Sequence, residues 1–163
     1  MTTGKTFPEP RRRRGCIEAP CNVRSVQAET EDGQTETHYS YEWLQIKDTG
    51  QALDGQAVLE QSRGKVMTRL NQACNGYIVA HYDLGSQNTL QALYNDPDTS
   101  QSTREAIKPA FDWIKGEVLP YYYSKKQSVR QAVDMEALSQ VVWDFEQFTS
   151  TKPDVTLEGL FAS

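Results

Sequence analysis

Residues 64–96, GKVMTRLNQACNGYIVAHYDLGSQNTLQALYND, and residues 102–126, STREAIKPAFDWIKGEVLPYYYSKK, decide how this chain is read. Leu59, Val66, Leu70, Ala73, Tyr77 and Ala80 follow steps of 7, 4, 3, 4 and 3, one face of a helix from near Asp54 to near Tyr82. Asp83 to Ser86 is a break, and Ser86 is placed to cap a short helix over QNTLQALYN that Asp96-Pro97-Asp98 ends. Thr99 or Ser100 caps the next helix, where Ile107, Phe111, Ile114 and Val118 step by 4, 3 and 4. Pro109 predicts a kink or a later start, and Pro120 a second bend. A last helix near residues 134–149 puts Leu138, Val141, Val142, Phe145 and Phe148 on one side.

The flanking segments read differently. In residues 22–47, Asp32-Gly33 lies between two polar–apolar runs, a hairpin signal. The second run alternates through Tyr39, Tyr41, Trp43 or Leu44, and Ile46. A lone hairpin is marginal in water, so it must pack on a helix or on a neighbouring chain. In residues 1–21, Pro8, Pro10 and Pro20 exclude a helix, and Arg11, Arg12, Arg13 and Arg14 repel one another, which predicts an extended basic arm. The expected fold is mainly α, a small helical bundle preceded by a β-hairpin and that arm. The expected organisation is the arm at 1–21, a single domain at 22–150 (hairpin 22–47, helices 54–149) and a tail at 151–163.

Composition bounds the function. The 163 residues carry a net charge of −5, which gives no general reason to expect nucleic-acid binding. Charge is uneven: residues 1–15 hold Lys5 and four arginines against Glu9, and the rest of the chain is acidic. No apolar run approaches the ~20 residues that span a bilayer, and no apolar stretch follows the N-terminal basic residues, so no membrane segment or signal peptide is expected. Three cysteines fit reduced thiols.

The spacings that carry chemistry do not form. Cys16 and Cys21 are five apart, wider than the pairs that usually clasp zinc. Cys74 and His81 are seven apart on one helix, about 10 Å, too far for a nucleophile–base hydrogen bond. Gly64-Lys65-Val66 lacks both the preceding glycine spacing and the hydroxyl of a phosphate loop. Acidic pairs such as Asp134/Glu136 and Asp144/Glu146 are two apart and face different ways on a helix. The expectation is a protein that is not an enzyme and takes no metal or cofactor.

The stretch GYIVAHYDLGSQNTLQAL followed by REAIKPAFDWIKGEVLPYYYSKK resembles small helical proteins encoded among the tail and tail-fibre genes of tailed bacteriophages. The matching positions are Tyr77, Ile78, Tyr82, Gln87, Leu90, Leu93, Trp113, Ile114, Val118, Tyr122 and Tyr123, within about 60 residues. Those relatives often carry a proline where this chain has Asp83. The resemblance implies a virion or assembly role and transfers no catalytic residue.

The expected function is therefore a structural or adaptor protein of a phage particle, at the tail, neck, baseplate or fibre attachment. It would be made in the host cytoplasm and carried in the virion, touching other virion proteins and further copies of itself. Arg11 to Arg14 would meet acidic surfaces, such as the acidic C-terminal segment. Tyr121 would mark an interface, and Leu157, Leu160 and Phe161 would fill a neighbour's groove. Two alternatives stand beside this: a nucleic-acid-binding regulator that uses the arginines on phosphates, and a tail assembly chaperone absent from the finished particle.

Overall fold

The structure, a computed structural model, describes residues 1–161. Helix accounts for 52% of the chain and strand for 21%, so the expected mainly α bundle is corrected to a mixed α/β fold. Four strands form one curled antiparallel sheet: β1 (Thr2–Gly4), β2 (Arg11–Arg13), β3 (Cys16–Glu29) and β4 (Thr35–Lys47), in the order β1-β4-β3-β2. The helices are α1 (Gln56–His81), α2 (Leu84–Asn95), α3 (Gln101–Trp113), a π turn (Ile114–Val118), α4 (Leu119–Gln131), α5 (Met135–Ser139), a 3-10 turn (Glu146–Thr151) and α6 (Leu157–Phe161). The chain divides into two compact units, Met1–Leu70 with Lys125–Trp143, and Asn71–Ser124 with Asp144–Ser163.

In the first unit the expected arm is part of the sheet. Ile17, Ala19 and Cys21 are fully buried and pair with Ile46, Leu44 and Glu42. Their period-2 alternation is a strand signal, and the prolines do not oppose it, because proline excludes helices but is tolerated at strand edges. Pro20 lies beyond the last residue of β3 that β2 pairs, Glu18, so at that level β3 is an outer strand. The hairpin at Asp32-Gly33 is present but longer than residues 22–47. Its loop closes through Gly33 N–H donating to Thr30 O at 2.9 Å, with Gly33 at φ +73°, the left-handed position that closes a three-residue hairpin loop. Arg69 of α1 donates to Cys21 Sγ (3.3 Å), Glu42 Oε2 (2.7 Å) and Trp43 O (2.9 Å), so α1 lies over the face that carries Ile17, Ala19, Leu44 and Ile46.

The second unit is helical. The inner face of α1 here is Cys74, Tyr77 and Ile78, in place of the expected Ala73 and Ala80. Asp83, not Ser86, caps α2, accepting Ser86 N–H at 2.7 Å. Ser100 caps α3, which runs through Pro109 without a later start. Buried positions in α3 step from Ile107 to Ala110 to Trp113 and then five residues to Val118. The π turn absorbs the extra residue, with Leu119 N–H bonding Ile114 O. It falls just before Pro120, whose ring would strike the carbonyl of Gly116 in a regular α-helix. The expected helix over residues 134–149 is corrected too. Only Met135–Ser139, in the first unit, is α-helical; Val141, Trp143 and Phe145 then alternate inward as an extended segment does, and Glu146–Thr151 is the 3-10 turn.

Candidate functional site

The first unit holds the features that fold alone does not require. The first is the turn joining β2 to β3. Arg13 pairs with Cys16, leaving Arg14 and Gly15 as a two-residue loop at φ +50° and +77°. Both signs match a type I′ turn, which asparagine-glycine fills best. An arginine there carries backbone strain of about 1 kcal/mol. The arginines beside it are engaged within the chain. Arg11 Nε donates to Glu18 Oε2 at 2.8 Å, and its guanidinium lies 4.2 Å from the Trp43 ring centre. Arg13 comes within 3.9 Å of the same Glu18 carboxylate. Arg12 bonds Asp48 at 2.9 Å and the Gln51 carbonyl. Within the chain their acidic partners are thus Glu18 and Asp48. Glu18 is only 8% exposed, so this carboxylate depends on its arginines to be tolerable there.

The second feature is the strap Lys5–Pro10, which connects the two edges of the sheet. β1 borders β4 and β2 borders β3, so the strap must cross from one edge to the other. It crosses the face opposite α1, where β4 presents Tyr39, Tyr41 and Trp43. The Phe7 ring meets Tyr39 edge-on at 5.4 Å, and Lys5 pairs with Glu36 at 2.7 Å, holding that carboxyl below its usual range. Pro8 is buried, and open spaces of about 520, 410 and 180 Å³ flank the strap. Phe7 lines all three, with Tyr39 and Glu136 at the first, Tyr41 and Trp43 at the second, and Pro20 and Met135 at the third.

The third is a ribbon. Asn22 and Val23 face the single residue Tyr41, a β-bulge with Asn22 at φ +51°, a conformation asparagine tolerates. The Asn22 amide and Arg24 meet at 3.5 Å, and Arg24 reaches the Trp143 carbonyl. Before the bulge β3 is buried from Ile17 to Val23, and after it Ser25, Val26, Gln27 and Glu29 are exposed. β1 reaches β4 only at Tyr39 to Tyr41, so from Val26 and His38 outward the two strands pair only with each other among the described residues. The ribbon tip carries Glu29, Glu31 and Asp32.

In the second unit Tyr121 is half-buried. Its hydroxyl accepts Asp144 N–H at 2.9 Å, and its ring meets Phe145 and Phe148 edge-on. Trp113 Nε1 donates to Phe148 O, Tyr77 pairs with Thr149 and Tyr82 donates to Pro153 O, each at 3.1 Å. These bonds seat residues 144–153 on the helices. Leu157 and Leu160 are half-buried in α6, and the side chain of Phe161 lies outside the described part. Tyr123, at 58% exposure, is the outward tyrosine of the three. The sequence-predicted contact residues therefore fall in both units, Arg11 to Arg14 in the first and Tyr121, Leu157 and Leu160 in the second. Sequence reasoning missed Glu18 and the bulge at Asn22. The Tyr39-Tyr41-Trp43 alternation was its only pointer to the strap face.

Burial pushes the Cys21 and Cys74 thiols up to about 11, despite the Arg69 charge beside Cys21. Cys16 is partly exposed and faces Arg13 O at 3.0 Å. Among the described residues no three histidine, cysteine or acidic side chains gather as a metal site, and no helix is long and apolar enough to cross a membrane. No protein family, curated protein sequence or solved structure matches this chain.

Proposed function

We propose that this chain is a structural or adaptor protein of a tailed-phage particle and works by protein–protein contact, in several copies. The observation that supports it is the ribbon beyond the bulge. A two-stranded ribbon in water gains too little from its own pairing to be retained for stability. This one leaves unpaired strand edges and one face, Ser25, Gln27, Glu29, Thr35 and Thr37, that is exposed throughout, the features by which a sheet accepts a strand or a surface from another chain. The first unit then holds the ribbon, and the ribbon serves as the contact element. The resemblance of residues 77–126 to phage tail proteins supplies the particle.

The test replaces residues 29–35 by Asn-Gly, which joins the paired residues Ala28 and Glu36 through a two-residue turn, shortens the ribbon and leaves the bulge and the strap in place. The shortened chain should fold with unchanged circular dichroism and lose incorporation into particles. Particles that take up the shortened chain as well as the full one would overturn the contact role. Particles that never contain the full chain would favour the assembly chaperone instead. The nucleic-acid reading has one observation in its favour, the exposed arginine turn. It requires DNA or RNA affinity that falls steeply with salt.

A further inference from the structure

We infer that the first thirteen residues exchange between two copies of this chain, each copy's β1, strap and β2 seating on the sheet of the other. The occupant of the strap face is then the same segment from a second copy. The argument begins at the hinge. Arg14 and Gly15 form the tightest loop that can join β2 to β3, and Arg14 is held at φ +50°. Short strained hinge loops favour swapping, because opening the loop releases the strain while every other contact can be remade in trans.

The register permits this. β2 and β3 pair as Arg11 with Glu18, Arg12 with Ile17 and Arg13 with Cys16. If the hinge extends, β2 and β3 become one continuous strand. Two such strands, antiparallel, restore each of those pairs between copies, with Arg14 opposite Gly15 across a two-fold axis. The buried Glu18 keeps its Arg11, now from the second copy, and Phe7 still finds a Tyr39 and Lys5 a Glu36.

The segment is also lightly held. β1 and β2 are three residues each, and every residue of β2 is exposed. Only Pro8 of the strap is buried, and Phe7 and Pro10 are half-buried. Open space on both sides of the strap means that it can leave its seat without displacing the helices. Release of such a segment costs far less than global unfolding, so exchange is accessible to the folded chain.

The test uses the Lys5–Glu36 pair. Its 2.7 Å separation is short enough for a carbodiimide to join the amine to the carboxylate with no spacer. Natural-abundance and nitrogen-15 chains are mixed in equal amounts, brought together to high concentration through mild denaturant, separated by size and cross-linked. The expected result is same-isotope Lys5–Glu36 pairs in the monomer fraction and mixed-isotope pairs as half of the total in the dimer fraction. Arg14→Asn, which suits the closed turn, should raise the dimer dissociation constant roughly thirtyfold, since two hinges are relieved per dimer. Removing Arg14 and Gly15 should make the dimer obligate. Same-isotope pairs alone in every fraction would overturn the exchange, as would a folded monomer lacking Arg14 and Gly15. Either result leaves the contact role of the ribbon standing, because a chain with its own strap in place can still join a particle.

Discussion

Ile17→Ala separates an arm from a sheet. Ile17 is the second residue of β3, fully buried, opposite Ile46 at 1% exposure and on one face with Ala19 and Leu44. The substitution removes three carbons. At about 0.8 kcal/mol per buried carbon the transfer loss is about 2.4 kcal/mol. The cavity left in a face closed by α1 raises the cost to about 3 kcal/mol, inside the range of such truncations. Ile17→Val, removing one carbon, should cost about 1 kcal/mol. Urea unfolding followed by far-ultraviolet circular dichroism reads both. With a slope near 2 kcal/mol per molar, Ile17→Ala lowers the midpoint by about 1.5 M. Val26→Ala on the same strand is the control, because Val26 is 50% exposed and its loss should stay within about 0.5 kcal/mol. An Ile17→Ala midpoint equal to that of Val26→Ala would refute the burial of this segment and return it to a free arm.

Tyr121→Phe should cost about 1 kcal/mol of stability in the isolated chain, because the hydroxyl that accepts Asp144 N–H is lost. An unchanged melting curve would move Tyr121 back to an intermolecular role. A thiol reagent near neutral pH should modify Cys16 well before Cys21 or Cys74, read by mass spectrometry of digested protein. Because burial raises the Cys21 and Cys74 thiols from 9.0 to about 11, their contribution is complete below pH 9.0 and is lost as pH climbs towards 11, so stability should decline over that window. Asp83 has the opposite sign. The Ser86 backbone N–H holds its carboxyl below the ordinary 3.8, so the cap stabilises above that pH and fades as acid protonates it. Asp83→Asn, an equally good cap, should flatten the acid limb of the melting profile, and an unaltered limb would remove Asp83 as its cause.

Much of the helical half was legible, because period-3.6 patterns persist over long segments. α1 falls within two residues of the expected bounds at its start, and the α3 cap is Ser100, one of the two residues, Thr99 or Ser100, that the sequence offered. The phase was harder. A π turn before Pro120 shifts the inner face by one residue, so Ala110 and Trp113 are buried where Phe111 and Ile114 were expected. The N-terminal half was misread for a different reason. Prolines and arginines argued against helix, and Ile17, Ala19 and Cys21, a strand pattern of three positions, were too short a signal to set against them. The same holds for Val141, Trp143 and Phe145, whose apolar content fits a helix face as well as an alternating strand. The ion pairs of Glu18 were not readable at all. A carboxylate seven residues from Arg11 becomes its neighbour only once the turn at Arg14-Gly15 folds β2 back onto β3.

The claim that carries the rest is that the ribbon beyond Arg24 is a contact element. Hydrogen exchange at the amides of residues 26–37 tests it most directly, measured once in the isolated chain and once in particles or assemblies purified from infected cells. Unpaired edges and an exposed face predict fast exchange in the isolated chain and at least about tenfold slower exchange when assembled. Equal rates in the two states would contradict the claim and leave the ribbon without a function in contact.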